Sequence, residues 1–249
     1  MIPKKTVEGY VFDNRTHESI FKLSKNNIID TINSPISSGK EAITFLGYLE
    51  KTPLALKIYK IETSNFKNMD KYIKGDHRFK RVSKDKRELF LLWAFKEYKN
   101  LTESLKAGAK VPVVIAKEKN IIVMSFVGSS KGIPFPKLSE LKFSFEKVYP
   151  QIIENYAKIL YGAKLVHADF SAYNILINPE TEEITVFDMG QAVNHSHPRA
   201  KEFLKRDIIN IVDFLNKKHP SQKITYESFL EDLKNKKQEI YGRDFKSGI

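Results

Sequence analysis

The segment 165–193, LVHADFSAYNILINPETEEITVFDMGQAV, constrains this chain more than any other. A short apolar run, Leu165-Val166, leads into His167-Ala168-Asp169, and Asn174 follows five positions after Asp169. Ile175-Leu176-Ile177 is a second apolar run, Asn178-Pro179-Glu180-Thr181 turns the chain, and Ile184-Thr185-Val186-Phe187 runs into Asp188-Met189-Gly190. The spacing predicts two short strands with a hairpin-like connection. Two carboxylates and one amide then sit at the strand ends. One carboxylate can take a hydroxyl proton, while an Asn and an Asp supply the oxygen ligands that Mg²⁺ prefers on a nucleotide phosphate. The competing reading is a turn in which Asp169 and Asn174 bond only local backbone. The second strand and D-x-G, following at a workable distance, argue against it.

Other candidates for charge chemistry lie earlier in the chain. Leu54-Ala55-Leu56-Lys57-Ile58-Tyr59 places a lysine inside an apolar strand. Lysines are seldom fully buried without a partner, so Lys57 calls for an anion, unless it lies on an edge strand and reaches water. Before it, Ser37-Ser38-Gly39-Lys40 is a small polar turn between apolar flanks. Such a turn lets backbone N–H groups approach phosphate oxygens, although an ordinary hairpin turn has the same composition. The helix over 86–107 carries Leu89, Leu92, Trp93, Leu101 and Leu105 at helical spacing, with Gly108 past its end. Glu97 lies one turn past Trp93, placed to project toward Lys57, and Trp93 reads as core.

The remaining elements follow from periodicity. A helix is expected over 10–31, capped by Thr16 or Asn14. Strands are expected at 114–116 and 121–127, a linker at 128–136, and mainly helix over 137–163. Further helices should begin at His197-Pro198, with Asp207 placed to bond the catalytic loop backbone, and run over 225–240. Between Glu62 and Arg87 the pattern fails, and Gly75-Asp76 breaks any helix. This stretch is expected to be a basic, mobile insertion that contacts substrate or RNA, or else a solvated linker. His195 and His197 lack a third ligand at metal-binding spacing.

The 249 residues suffice for one large domain or two small lobes. Absence of cysteine excludes a disulfide framework and a Cys-ligated zinc site. No apolar run approaches a membrane span, and Met1-Ile2-Pro3-Lys4-Lys5 is not followed by a signal-peptide core. The expectation is a cytoplasmic protein with no membrane partner. A net charge of +12, from 42 Lys+Arg against 30 Asp+Glu, favours polyanionic partners such as nucleotide, RNA or a ribonucleoprotein; solubility alone is the blander account.

With these elements placed, the chain resembles the RIO family of atypical protein kinases, and within it the first subfamily in an archaeal-type minimal form. The matching segments are S-S-G-K-E-A (37–42), L-K-I-Y-K-I-E-T-S-N-F (56–66), K-E-Y-x-N-L (96–101), H-A-D-F-S-A-Y-N (167–174), D-M-G-Q-A-V (188–193) and H-P-x-A-x-E-F-L-x-R-D (197–207). The resemblance implies an α+β, two-lobed protein-kinase-like fold. Residues 1–127 would form a mostly antiparallel N-terminal lobe that includes the insertion at about 62–87, and 128–249 a mainly helical catalytic lobe.

It also implies roles. Asp169 would be the catalytic base, and Asn174 and Asp188 would hold Mg²⁺, with Mn²⁺ as a substitute. Lys57, paired with Glu97, would orient the ATP phosphates under the loop Ser37, Ser38, Gly39, Lys40 and Glu41. Met124, Ser125 and Phe126 would edge the adenine pocket. Asp188 is a candidate nucleophile that accepts the γ-phosphoryl group before water cleaves it. Family members mature the small ribosomal subunit, so the implied partners are ATP, a pre-small-subunit particle or its RNA, and a serine acceptor on a protein substrate or on the chain itself. The A-P-E segment of ordinary protein kinases is absent, which bears on peptide phosphorylation. Two rival readings are an assembly factor in which nucleotide only fixes shape, and a small-molecule phosphotransferase sharing H-x-D-x-x-x-x-N.

Overall fold

The computed structural model describes residues 13–60, 66–79, 85–243 and 245. These fall into two units, one drawn from Met1–Asn68, Ser83–Lys99 and Pro112–Pro134, the other from Met69–Val82, Asn100–Val111 and Phe135–Ile249. The sequence expects a single change of lobe between residues 127 and 128. The observed partition instead sends 69–79 and the last turns of one long helix to the second unit.

In the first unit, helix α1 (Asn14–Lys25) starts where Asp13 Oδ1 accepts the Thr16 N–H at 2.9 Å. The cap is therefore Asp13, not Thr16 or Asn14; its carboxylate satisfies one of the orphan donors of the first turn. The helix ends well before residue 31, because Asn27 adopts a positive φ of 54°. Strands β1 (Thr31–Ser38), β2 (Ala42–Leu49) and β3 (Thr52–Tyr59) form an antiparallel meander. Pro35, which has no N–H to donate, is accommodated in β1 at the sheet edge, between two register shifts.

Helices α2 (Phe66–Ile73) and α3 (Lys86–Lys106) follow, then strands β4 (Val114–Glu118) and β5 (Ile121–Ser125). The sheet order is β1-β2-β3-β5-β4, with every pairing antiparallel. Side chains alternate across a strand. Leu54, Leu56 and Ile58 pack with Ile20 and Leu23 of α1 and with Ile32, Phe45, Ile121 and Val123. Lys57, between them in sequence, therefore points to the opposite face. It sits on a strand flanked by β2 and β5, so the edge-strand reading of this lysine does not hold.

Helix α2 corrects the expectation of an element-free insertion over 62–87. Residues 61–65 and 80–84 lie outside the described residues, but the part between them is helical and then turns, with Met69, Tyr72, Ile73 and Phe79 buried. Spacing of 69, 72 and 73 marks one helical face. It is too short to stand out among Lys67, Lys71 and Lys74. Tyr72 lies against Phe203, ring centroids 5.3 Å apart, which ties this helix to the second unit.

The second unit continues with a 3₁₀ turn at Leu138–Glu140 and helix α4 (Phe145–Ala157), capped by Ser144. One π-helical turn, Lys158–Gly162, closes α4. A Cβ on Gly162 would lie 2.2 Å from Tyr241 Oη and 2.8 Å from Ala107 Cβ, so only glycine fits that contact. Short strands β6 (Leu165–Val166), β7 (Ile175–Ile177), β8 (Ile184–Val186) and β9 (Val193–Asn194) pair as β6 with β9 and β7 with β8. Helix α5 (Ala200–Lys218) buries Phe203, Leu204, Asp207, Ile208, Ile211, Val212 and Leu215, a continuous apolar stripe interrupted by one carboxylate. Helix α6 (Tyr226–Tyr241) begins at the Thr225 cap. No helix among the described residues is long and apolar enough to cross a membrane.

Gly47 on β2 offers a test of the packing between α1 and the sheet. A Cβ there would lie 2.4 Å from Leu56 Cδ1 and 3.0 Å from the Thr31 carbonyl. Gly47→Ala should cost about 1–3 kcal/mol through overpacking and lower the melting temperature. An unchanged midpoint would mean that Leu56 swings aside at no cost.

Candidate active site

The predicted residues fall into two groups, one in each unit. In the first unit, Lys57 Nζ donates to Glu97 Oε1 at 2.8 Å and stands 2.8 Å from Oε2. The Glu97 side chain is 2% exposed and that of Lys57 15%. A carboxylate this deep is costly without its counter-ion, so the pair fixes the lysine ammonium at a set place above the sheet. The last two residues of β1, Ser37 and Ser38, are exposed, as are Gly39 and Lys40 of the turn that follows, so the expected turn begins at Gly39 rather than Ser37. It is closed by Gly39 N–H to Ala42 O at 2.9 Å, and Lys60 holds it from the side: Lys60 Nζ donates to Gly39 O and Lys60 N–H to Glu41 O, both at 2.9 Å. Met124 and Ser125 end β5 and Phe126 follows it. The Ser125 N–H donates to Val113 O at 2.8 Å and its hydroxyl accepts the Val113 N–H at 2.9 Å. That backbone donor is thus already engaged, while the hydroxyl keeps its own O–H to donate.

In the second unit, the loop after β6 carries Asp169 and Asn174. Asn174 Nδ2 donates to the Asp169 carbonyl at 2.9 Å and to Asp169 Oδ2 at 3.1 Å. The amide nitrogen faces Asp169, leaving Asn174 Oδ1 as the acceptor on the other side. Asp188 follows β8 with φ 60° and ψ 61°, the left-handed region, and opens a 3₁₀ turn, Met189–Gln191. Gln191 Nε2 donates to Asp169 Oδ2 at 3.1 Å, linking this turn to the loop. Asn174 Oδ1 and the Asp188 carboxylate are both hard oxygen donors, the chemistry that suits Mg²⁺.

Asp207 sets the loop. Its carboxylate has no exposed surface and accepts the N–H groups of Ala168 at 2.7 Å and Phe170 at 3.0 Å, the two residues that bracket Asp169. It also accepts the Tyr156 hydroxyl at 2.8 Å. Ala168 has φ +65°, a conformation that costs a non-glycine residue roughly 1–2 kcal/mol. It is held on both sides, by Asp207 at its N–H and by Arg206 Nη2 at its carbonyl. The bond from Asp207 to the catalytic loop backbone was expected from sequence. His167 is buried and its Nε2 lies 3.2 Å from the Phe187 carbonyl. His197 Nδ1 accepts the Arg199 N–H at 3.1 Å.

Burial and then the nearby Asp188 charge raise the Asp169 carboxyl above the ordinary carboxylate range, while Asn174, Arg206 and Lys71 pull it down. Burial pushes Asp207 up to about 7 against the three donated bonds, and drives His195 down to about 4. Gln191, Arg206 and Asn100 had no role assigned from sequence. Each lies inside a matched motif, but their partners are fixed only by the folded chain.

Asp207 gives a pH dependence of definite sign. Its folded-state value lies above that of an unfolded carboxylate, so the folded protein binds the extra proton. Its contribution to stability is complete below about pH 4 and is lost as the pH rises through about 7. His195, with a lowered value, acts in the opposite sense and loses its contribution as the pH falls below about 6.5. The two overlap, so Asp207 is read from the difference between wild type and Asp207→Asn. That difference in melting temperature should fall between about pH 4 and about pH 7. A difference independent of pH would show that Asp207 titrates as an ordinary carboxylate.

The RIO domain family model matches residues 42–229. The RIO-type serine/threonine-protein kinase Rio1 of Haloferax volcanii is 39% identical over 213 residues, covering 85% of this chain and 72% of that one. The serine/threonine-protein kinase RIO3 of Mus musculus is 38% identical over 222 residues, 82% of this chain, which spans only 42% of that longer protein. A crystal structure of the Rio2 kinase of Chaetomium thermophilum, as its ADP/Mg²⁺-phosphoaspartate complex, superposes with a TM-score of 0.69 over 96% of this chain and 70% of that one, at 22% identity. That likeness establishes the kinase fold. On sequence and fold together, this chain belongs to the RIO family of serine/threonine-protein kinases.

Proposed function

We propose that the chain transfers the γ-phosphoryl group of ATP in a Mg²⁺-dependent reaction, with Asp169, Asp188 and Lys57 as its catalytic residues. The observation that carries this reading is the Asp169–Asn174–Asp188 set: a partly desolvated carboxylate, an amide whose nitrogen is turned toward it, and a second carboxylate held in a left-handed turn. Asn174 and Asp188 would hold the metal, which when bound offsets phosphate charge. Mn²⁺ offers the same preference for oxygen ligands.

Lys57, fixed by Glu97, is assigned to the ATP phosphates, the turn 37–41 to covering them, and Met124 to Phe126 to the adenine. Positioning and charge neutralisation supply most of the acceleration in such transfers. Asp169 takes the proton of the attacking hydroxyl, and its raised carboxyl makes it a better acceptor than an ordinary carboxylate.

The finer reading is an ATPase that runs through a phosphoaspartate. An Asp188 oxygen attacks the γ-phosphorus, the bond to the β-bridging oxygen breaks, and ADP leaves with that electron pair. Water then attacks the acyl phosphate, passing its proton to Asp169 and releasing inorganic phosphate with the carboxylate restored. Support comes from the positions of the two carboxylates, and from the phosphoaspartate in the Chaetomium thermophilum Rio2 complex. The resemblance to the RIO family implies a part in maturation of the small ribosomal subunit in the cytoplasm, with protein or self phosphorylation on serine as the accompanying activity, and the +12 charge suits a ribonucleoprotein partner.

Two experiments test this. Asp169→Ala should slow ATP turnover by ~10²-fold or more; unchanged turnover removes Asp169 from the mechanism. After incubation with γ-labelled ATP, wild type should carry acid-stable, hydroxylamine-labile label, and Asp188→Ala should carry none. Label that persists in Asp188→Ala would place the phosphoryl group elsewhere.

A further inference from the structure

One side-chain cluster in the second unit bears on Asp188 without being part of the metal set. Asn100, near the C-terminal end of α3, has no exposed surface, and its Nδ2 donates to the carbonyls of Met189 at 2.8 Å and Ala192 at 2.9 Å. One amide thus grips both ends of the turn that begins at Asp188 and carries Gln191. Its other atom, Oδ1, accepts Arg78 Nη1 at 2.9 Å. Arg78 is in turn held by Asp76, with Nε to Oδ1 at 2.9 Å and Nη2 to Oδ2 at 2.6 Å. Asp76 is 2% exposed and lies just after α2.

This chain of bonds has a direction. A carboxamide can be turned about its terminal bond, exchanging donor and acceptor. Arg78 can only donate, so it fixes Oδ1 toward itself and Nδ2 toward the two carbonyls. Both carbonyls then receive a donor, and the 3₁₀ turn, closed by Ala192 N–H to Met189 O at 3.2 Å, keeps Asp188 in its left-handed conformation. Aspartate tolerates the left-handed region better than most residues but less well than glycine, so the bonds that close the turn help to hold Asp188 there. The same turn delivers Gln191 to Asp169.

We infer that Asn100, oriented by the Asp76–Arg78 pair, is a positioning residue for the metal-binding carboxylate. It holds the Met189–Gln191 turn so that Asp188 and Gln191 keep their places relative to Asp169. The segment following α2 thereby acts on the reaction centre through one buried amide, without touching substrate. This inference rests on the assignment of Asp188 as a Mg²⁺ ligand.

The test uses binding rather than turnover. ADP affinity is measured by calorimetry with and without Mg²⁺ in wild type, in Asn100→Asp and in Arg78→Gln. Asn100→Asp keeps the size of the side chain but replaces both donated bonds by a charge facing two carbonyls. The gain in ADP affinity that Mg²⁺ brings to wild type should fall by ~10-fold or more in Asn100→Asp, the usual effect of removing a partner behind a metal ligand, with Mg²⁺-free ADP affinity retained. Arg78→Gln should reduce the gain by a smaller factor, and stands alone as the test if Asn100→Asp does not fold. Amide hydrogen exchange should quicken over 188–192 in either variant while the β7–β8 hairpin keeps its protection. A variant that is less thermostable yet keeps the full Mg²⁺ gain would overturn the inference, leaving Asn100 a purely structural residue. Absence of any Mg²⁺ gain in wild type would instead overturn the assignment of Asp188.

Discussion

A carboxylate sealed from solvent shapes the reactive loop of this protein. Asp207 interrupts the apolar stripe of α5, and its two oxygens take the N–H groups on either side of Asp169. Removing it would orphan three buried donors, the Ala168 and Phe170 N–H groups and the Tyr156 hydroxyl, each costing about 1–3 kcal/mol in lost hydration. It would also release Ala168 from a backbone conformation that alanine does not choose. The order of dependence is plain. Packing of Phe203, Ile208, Ile211 and Leu215 places α5, α5 places Asp207, and Asp207 places the backbone from which Asp169 projects. The geometry of this loop is a by-product of helix packing, transmitted by one side chain.

The first unit reaches a comparable result by sheet alternation. Even-numbered residues of β3 enter the apolar cluster under α1, so the odd-numbered Lys57 has to face the other way, where Glu97 of α3 meets it. Neighbouring strands on both sides deny this lysine an easy path to water at the sheet edge. Its charge is balanced by a carboxylate that is itself almost wholly enclosed. The two depend on each other, and the pair holds the lysine ammonium in a set position.

Much of this was legible in the sequence, for identifiable reasons. The strands around Lys57, the β7–β8 hairpin and the stripe of α5 follow from periodicities that local composition preserves. The pairing of Lys57 with Glu97, and the bond from Asp207 to the loop, were foreseen because both residues stand where an apolar pattern has no place for a charge. Helix α2 was missed because its buried face amounts to Met69, Tyr72 and Ile73 among lysines. Asn100 and Gln191 are illegible in the sequence for another reason. Asn100 and its acceptors lie 89 and 92 positions apart in the chain, and an amide inside a helix gives no local sign of what it will bond.

The wide turn at Lys158–Gly162 carries a structural consequence of its own. A π turn holds one residue more than the α-helical repeat, so it advances the phase of everything after it by about 100°. That offset brings Gly162, the one residue type without a side chain, against Tyr241 Oη and Ala107. Deleting a single residue from this turn would present a bulkier neighbour to the tyrosine and send β6 out of the turn on the wrong bearing. The seat of Gly162 against Tyr241 thus makes the number of residues in this turn a structural quantity, fixed just upstream of the loop that carries Asp169.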